Sequence, residues 1–218
     1  MSRRILTGIT TTGIPHIGNY FGAIKPALHL SCEKNVSSYF FLADLHAIIK
    51  QTNPNEIKVS VNEVALAWLS SGLDPEESFF YRQSNIPEIT ELAWILSCVT
   101  AKGLINRSHA YKAAVQLNHD HTKDEDKGIS MGLFSYPVLM AADILMFNSS
   151  HVPVGKDQLQ HLEITRDIAE KFNHQYGNAF VIPEAIINKG GKLLVGHDGR
   201  KTVSYTHLRA HRDSIRSR

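Results

Sequence analysis

The sequence predicts an α/β fold in which a parallel sheet carries helices on both faces. Three features point there: short β-type runs alternate with longer amphipathic stretches, each run stops at a glycine or a polar residue, and the helical stretches have readable caps. A strand, a helix and a second parallel strand close right-handed, so repeated units build one doubly wound sheet that takes ligands at the carboxyl ends of its strands. With 218 residues, 43% hydrophobic and 20% charged, the chain is long enough for one well-formed core and too apolar to be disordered throughout.

The first strand is expected over residues 4–7, ending at Gly8, and the second over 38–42, ending at Ala43 and Asp44. The third covers 79–83 and stops at Ser84; the fourth covers 151–154 and stops at Gly155. Each is rich in aromatic or β-branched residues. Between the second and third, Asn53 offers an N-cap, Pro54 a first helical position and Glu56 an acid three after the cap, while Gly72 supplies the stop. Ile57, Val61, Val64 and Trp68 then share one face of that helix. Pro87 and Glu88 open another, with Ile89, Leu92, Leu96 and Val99 on one face and Gly103 as its end. A third is expected over 155–172, with Leu159, Leu162, Ala169 and Phe172 inward, and the charged stretch 119–127 reads as a solvated loop or a mobile excursion.

Composition narrows the class further. The longest apolar region, 136–147, is broken by Pro137 and Asp143, so no membrane span is expected, and the N-terminus lacks the apolar core of a secretory signal. Cys32 and Cys98 lie far apart in apolar sequence, which indicates neither a disulfide framework nor a zinc site and fits a reducing cytoplasm. The net charge of +2 is uneven: residues 202–218 hold four arginines against one acid, leaving 19 basic and 20 acidic side chains in the first 201. That segment has no apolar periodicity and reads either as a basic arm or as sequence outside the fold.

The chemistry-bearing residues begin where the first strand ends. Thr10, Thr11 and Thr12, between Gly8 and Gly13, offer hydroxyls and N–H groups ahead of a helix, which suits a polyphosphate or makes an ordinary turn. No Gly-Lys-Ser/Thr follows, so this is not a Walker loop. His16-Ile17-Gly18-Asn19 is similar to the His-x-Gly-His/Asn signature of nucleotidyl transferases, class I aminoacyl-tRNA synthetases among them. His16 and Asn19 stand three apart on one face, either to meet phosphates or to cap the helix, and Gly18 keeps the backbone bare for an adenine. Asp143, within an apolar helix, must find a partner if buried, whether an ion pair or a ligand donor.

From residue 4 to about 201 the chain resembles the bacterial tryptophanyl-tRNA synthetases, on the stretches 18–24, 44–47, 72–75, 83–84, 87–88, 132–134, 136–145 and 152–161 in family order. The resemblance implies a Rossmann-type catalytic domain with a helical insertion at about 87–136 that builds a homodimer. It implies ATP- and Mg2+-dependent activation of L-tryptophan, then transfer to tRNA(Trp). His16, Asn19 and Lys112 would polarise the phosphates, although Lys112 read alone is equally a surface lysine. Thr10, Thr11, Thr12, Gly18, Asn19, Gly155, Lys156, Asp157 and Leu193 would hold ATP. Asp143 would accept the indole N–H, with Met140, Tyr136, His46, Leu6, Val152, Val154 and Gln158 around the amino acid.

The same resemblance exposes departures. The family passes from a Gly-Arg-Lys approach, here Gly199-Arg200-Lys201, into a Lys-Met-Ser-Lys-Ser loop, and this chain reads Thr202-Val203-Ser204-Tyr205-Thr206 instead. The expectation is therefore a catalytic domain over 1–201, a disordered unrelated tail over 202–218, no anticodon-binding domain and impaired activity. Its rivals are a tyrosyl-tRNA synthetase, a small adenylyltransferase and a non-catalytic fragment that binds tryptophan or ATP.

Overall fold

The computed structural model describes residues 2–121, 124–155 and 158–187. Five parallel strands form its sheet: β1 (Arg3–Thr10), β2 (Val36–Ala43), β3 (Phe79–Arg82), β4 (His151–Val154) and β5 (Glu184–Ile187), in the order β3-β2-β1-β4-β5. Around it lie α1 (Ile17–Asn19), a π-helical turn (Tyr20–Ile24), α2 (Lys25–Ser31), α3 (Asp44–Ala47) and α4 (Pro54–Ser70). After β3 come α5 (Glu88–Val99), α6 (Lys102–Ile105), α7 (His109–Asp120), α8 (Met131–Met146) and, beyond β4, α9 (Leu159–Tyr176). This is the doubly wound α/β architecture expected from the alternation of runs. Among the described residues no helix is long and apolar enough to cross a membrane.

Burial on both faces explains why the central strands lack a strict alternation of polar and apolar residues. Ile5, Leu6 and Thr7 are buried in succession on β1, as are Phe40, Phe41, Leu42 and Ala43 on β2. On one face Ile9, Phe40 and Leu42 meet Ile24, Val61, Val64 and Trp68, and the Phe40 and Trp68 rings pack with centroids 4.9 Å apart. On the other, Leu6, Phe41, Ile144, Val152 and Leu162 form the layer beneath α8 and α9. Outside that layer Ile89, Leu96, Ile105, Val138, Leu145 and Ile168 lock α5, α6, α8 and α9 together. The 87–136 stretch thus comprises α5, α6, α7 and the start of α8, with α5 rooted in the same core.

Several boundaries differ from expectation for local reasons. The helix opened at Pro87 ends at Thr100, whose extended backbone (φ −79°, ψ 124°) turns the chain, and Gly103 lies inside α6 instead of stopping α5. α7 continues through His119 and Asp120, so the charged loop starts later than its composition suggests. α9 begins at Leu159 and continues past Phe172 to a left-handed Gly177 (φ +94°), which ends it as glycines do. α8 runs straight through Pro137, where the missing N–H costs one helical bond. β5 is not expected from the sequence because it is short, mostly exposed and paired only with β4. Cys32 and Cys98 are both exposed, not packed in apolar surroundings. Residues 202–218 lie outside the described residues.

Gly8 is where close approach demands glycine. It pairs with Phe41, and a Cβ built there would lie 2.3 Å from that ring, which is itself stacked on Tyr81 at 5.6 Å. Gly8→Ala should therefore destabilise the fold by about 1–3 kcal/mol through overpacking, and a smaller residue at 41 should relieve part of the loss. Urea denaturation of Gly8→Ala and of Gly8→Ala/Phe41→Leu tests this; a double variant no more stable than the sum of the single losses predicts would count against the clash.

Candidate functional site

The strand order reverses direction between β1 and β4, since β2 and β3 lie on one side of β1 while β4 and β5 lie on the other. Open α/β sheets form ligand crevices at such reversals. Here the crevice is wide because β1 and β4 pair only at Ile5↔His151, whereas β1 and β2 stay in register from Arg3↔Val36 to Thr10↔Ala43. Beyond the lapse, Leu6, Thr7 and Gly8 on β1 and Val152, Pro153 and Val154 on β4 line a cavity of ≈ 540 Å³. Phe41, His46, Tyr136, Met140, Asp143 and Ile144 close its inner part.

Among the described residues Asp143 is the only acid lining this cavity, and it is just 1% exposed. His46 Nε2 lies 2.8 Å from its Oδ2, and the Gln83 amide nitrogen spans both oxygens, donating at 2.8 Å to Oδ1 and 3.0 Å to Oδ2. Burial pushes the Asp143 carboxyl above its ordinary range, while the His46 and Gln83 contacts pull it back. Three contacts for a carboxylate with about four acceptor sites leave room for one further donor. Gln83 cannot turn around: it is fully buried, and its Oε1 accepts the Leu45 N–H at 3.1 Å, so its NH2 must face Asp143.

A second carboxylate secures that turn. Asp44, 3% exposed, accepts from Arg82 Nε at 2.6 Å and from the Ser84 N–H at 3.0 Å. Burial raises the Asp44 carboxyl, but the Ser84 and Arg82 hydrogen bonds outweigh it and hold the group below its ordinary value. On the opposite wall the Tyr136 hydroxyl bonds His161 Nε2 at 2.8 Å, and the His46 ring meets the Tyr136 ring edge-on at 6.4 Å. Burial raises the Tyr136 hydroxyl above its usual pKa, so it stays protonated.

At the head of α1, outside the cavity lining, His16 and Asn19 form a reciprocal cap. The Gly18 N–H donates to His16 Nδ1 at 3.0 Å and the His16 N–H donates to Asn19 Oδ1 at 2.9 Å. Because Nδ1 accepts, a neutral His16 ring carries its proton on Nε2, and the Asn19 NH2 is not used in the cap. Both leave donors for an anion. Gly18 is also dictated by the His16 ring, which would meet a Cβ there at 2.7 Å.

The structure gathers Leu6, His46, Tyr136, Met140, Asp143, Val152, Val154, Gly155 and Gln158, with Thr10 and Thr12, around one cavity. It does not bring every expected residue to the lining. Thr11 is fully buried instead, Lys112 is exposed on α7, and His16, Gly18 and Asn19 sit at the head of α1 outside it. Lys156, Asp157 and Leu193 lie outside the described residues. The sequence assigned no role to Gln83, Asp44, Arg82 or His161, although Asp44, Gln83 and His161 lie in stretches that carry the resemblance, and Asp44 and Gln83 directly follow or end β-type runs, where sheet ligands gather.

Comparison with known proteins adds the family context. The sequence profile described as tRNA synthetases class I (W and Y) matches residues 2–208. The chain is 58% identical over 204 residues to the tryptophan–tRNA ligase of Pseudomonas putida, covering 92% of this chain and 45% of that protein. It is 59% identical over 202 residues to the Bordetella pertussis enzyme of the same name, with 92% and 45% covered. Among solved structures, tryptophanyl-tRNA synthetase from Campylobacter jejuni, complexed with ADP and tryptophan, superposes with a TM-score of 0.82 at 45% identity, covering 92% of this chain and 60% of that one. The chain thus spans about half the length of the curated relatives it matches.

Asp44 gives a test of how the site is held. A carboxyl held below its unfolded pKa stabilises the fold above about pH 4 and loses that contribution as pH falls through the folded value. Asp44→Asn should lower stability by about 1.5–3 kcal/mol at pH 7, the range for a hydrogen bond to a charged group, and the gap should narrow below about pH 4. Urea midpoints at pH 7, 5 and 3.5 measure it. A gap independent of pH would refute the charged role.

Proposed function

The chain belongs to the class I tRNA synthetases of the tryptophan and tyrosine group, and on that premise we propose that it carries the amino-acid-activating domain of a tryptophan–tRNA ligase. L-tryptophan and ATP are the proposed substrates, the product is tryptophanyl-adenylate, and the acceptor in the whole enzyme is tRNA(Trp). The single observation behind this reading is the buried Asp143 carboxylate at the inner end of a largely apolar cavity, with one acceptor site left open. An indole N–H is a donor with no acceptor capacity, so one acceptor among apolar walls satisfies it completely. A phenol hydroxyl would leave its own lone pairs unmet, which is why tryptophan is favoured over tyrosine.

Activation joins the tryptophan carboxylate oxygen to the α-phosphorus of ATP and breaks the bond from that phosphorus to the pyrophosphate. No protein nucleophile is needed, so rate comes from alignment and from donors placed where charge builds. The Leu6, Met140, Val152 and Val154 side chains would sandwich the indole while Asp143 sets its depth, turning the carboxylate outward toward Thr10 and Thr12. His16 Nε2–H and the Asn19 amide would meet the phosphates, since the cap holds both donors in place without using them. Lys112, exposed on α7, would reach them only from outside the cavity. Magnesium would ride on the triphosphate, because the one carboxylate lining the cavity among the described residues is committed to His46 and Gln83.

The remaining partners follow the same reading. Trp94, 72% exposed, and Ile95, 49% exposed, give α5 an apolar outer face suited to the homodimer expected from the helical insertion. The proposed compartment is the cytoplasm, where tRNA is charged.

Calorimetric titration with tryptophan, and with tyrosine as competitor, tests the proposal directly. Tryptophan should bind and tyrosine should compete weakly. Asp143→Ala should weaken tryptophan by about 1.5–3 kcal/mol, roughly 10- to 150-fold, by removing a charged acceptor from a buried donor. Equal binding by the variant would reject Asp143 as the indole acceptor, and preferential tyrosine binding would reject the substrate.

A further inference from the structure

Gln83 does not line the cavity, yet it is held tightly beside it. It is 0% exposed, and both ends of its amide are committed. The carbonyl takes the Leu45 N–H at 3.1 Å, and the NH2 donates to both oxygens of Asp143 at 2.8 and 3.0 Å. Its backbone is fixed as well, because the neighbouring Ser84 N–H and Arg82 guanidinium are bound to Asp44. A glutamine held at both ends defines direction: it donates toward position 143 and accepts nothing from there.

We propose that Gln83 is a specificity-determining positioning residue, which locks the Asp143 carboxylate in orientation and in its acceptor form so that the cavity selects a ligand bearing an N–H donor. The inference deepens the reading of the cavity as a tryptophan site and rests on it. A carboxylate out of water takes up a proton unless donors stabilise its charge, and a protonated Asp143 would offer an O–H of its own and lose its preference for donor-only ligands. Burial does push this group toward protonation. His46 supplies one opposing contact from α3 and Gln83 supplies the other two from the turn after β3. Among the described residues, the other titratable groups on the elements around Asp143 are Tyr81, Tyr136 and His161, with Lys50 on the cavity lining and the mutually paired Asp44 and Arg82 beside Gln83. Burial and, after it, the Asp143 charge raise the Tyr81 hydroxyl on β3, Tyr136 on α8 meets the His46 ring edge-on, and His161 on α9 is bonded to Tyr136. Tyr81 and Tyr136 are both held in the neutral form by burial, so neither supplies a charge that could replace Gln83.

Two substitutions separate positioning from packing. Gln83→Glu keeps the shape and the Leu45 contact but places two carboxyls together, which share a proton at low pH and repel once it is lost. At pH 5.5 the protonated carboxyl introduced at position 83 donates to Asp143 as the amide does, and tryptophan should bind within about 3-fold of the unaltered chain; at pH 8.5 it should bind at least about 10-fold more weakly. The loss should reverse when the same sample is returned to pH 5.5. Gln83→Leu removes the donor without adding a titrating group, and should bind about 10-fold or more weakly at both pH values. The measurement is calorimetric tryptophan binding, with the unaltered chain and Asp143→Ala run alongside. Equal affinity of Gln83→Glu and the unaltered chain at both pH values, or a loss in Gln83→Glu that is the same at both, overturns the proposal. If the unaltered chain binds tryptophan, Asp143→Ala does not and both Gln83 variants bind normally, the tryptophan reading stands and this inference alone falls. If the unaltered chain fails to bind tryptophan, both fall together.

Discussion

Taking the Asp143 carboxylate out of water is the constraint to which the rest of the site answers. An isolated buried charge costs several kcal/mol even after relaxation, so it survives only where donors meet it. His46 and Gln83 are those donors, and each is useful only if it is itself immobile. Leu45 fixes Gln83 through its N–H; Asp44 fixes the Gln83 turn through Ser84 and Arg82. Residues 44, 45 and 46 therefore each carry one part of a single network, which explains a helix as short as α3. Its single turn exists to aim an acid, a backbone donor and an imidazole at the ends of β2 and β3.

The sheet creates the space that this network closes. Had β1 and β4 stayed paired to their carboxyl ends, the cleft between Leu6 and Val152 would be filled by backbone hydrogen bonds. Pairing lapses after one register position, and the freed strand ends become walls. Phe41 lies against Gly8 and Tyr81, so the wall on the β2 side is rigid only because no side chain projects from position 8. Packing and site are thus one problem here: the contacts that keep β1 and β2 in close register also set the width of the cavity.

Much of this was legible in the sequence, for identifiable reasons. β1, β2 and β4 were readable because their buried residues are largely apolar and the runs end in punctuation, and β3, an edge strand, was readable through Phe79, Phe80 and Tyr81; β5, an edge strand over residues 184–187 without aromatic residues, carries no such signal. Helix faces such as Val61, Val64 and Trp68 followed from period, whereas the end of α5 at Thr100 depended on backbone geometry that no residue type announces. Of the expected site residues, those on α8 and β4 gather at the cavity because strand-end topology places them there. Gln83 and Asp44 escaped assignment because their roles depend on contacts across 60 and 38–40 residues of chain, which only the folded sheet brings together. Lys112 shows the converse limit: a resemblance carries a residue type to a position, but the exposure of α7 decides what that lysine can reach.

The structure shows His16 and Asn19 as a helix cap, one of two roles that residue types alone left open; the other, an anion site, belongs to the proposed function. The two readings are not exclusive. A cap that uses Nδ1 of the imidazole and Oδ1 of the amide consumes only acceptors, and the unused atoms of both side chains are donors. Those donors stand at the end of a chain segment already rich in threonine hydroxyls, next to a helix start whose N–H groups carry partial positive charge. Under the proposed function, the cap would perform the ordering that an anion site requires before any anion arrives. The same principle governs Gln83, whose carbonyl is anchored to backbone so that its amide can serve Asp143. In Gln83, His16 and Asn19 alike, one half of a polar side chain is tied to the fold and the other half is thereby held in place.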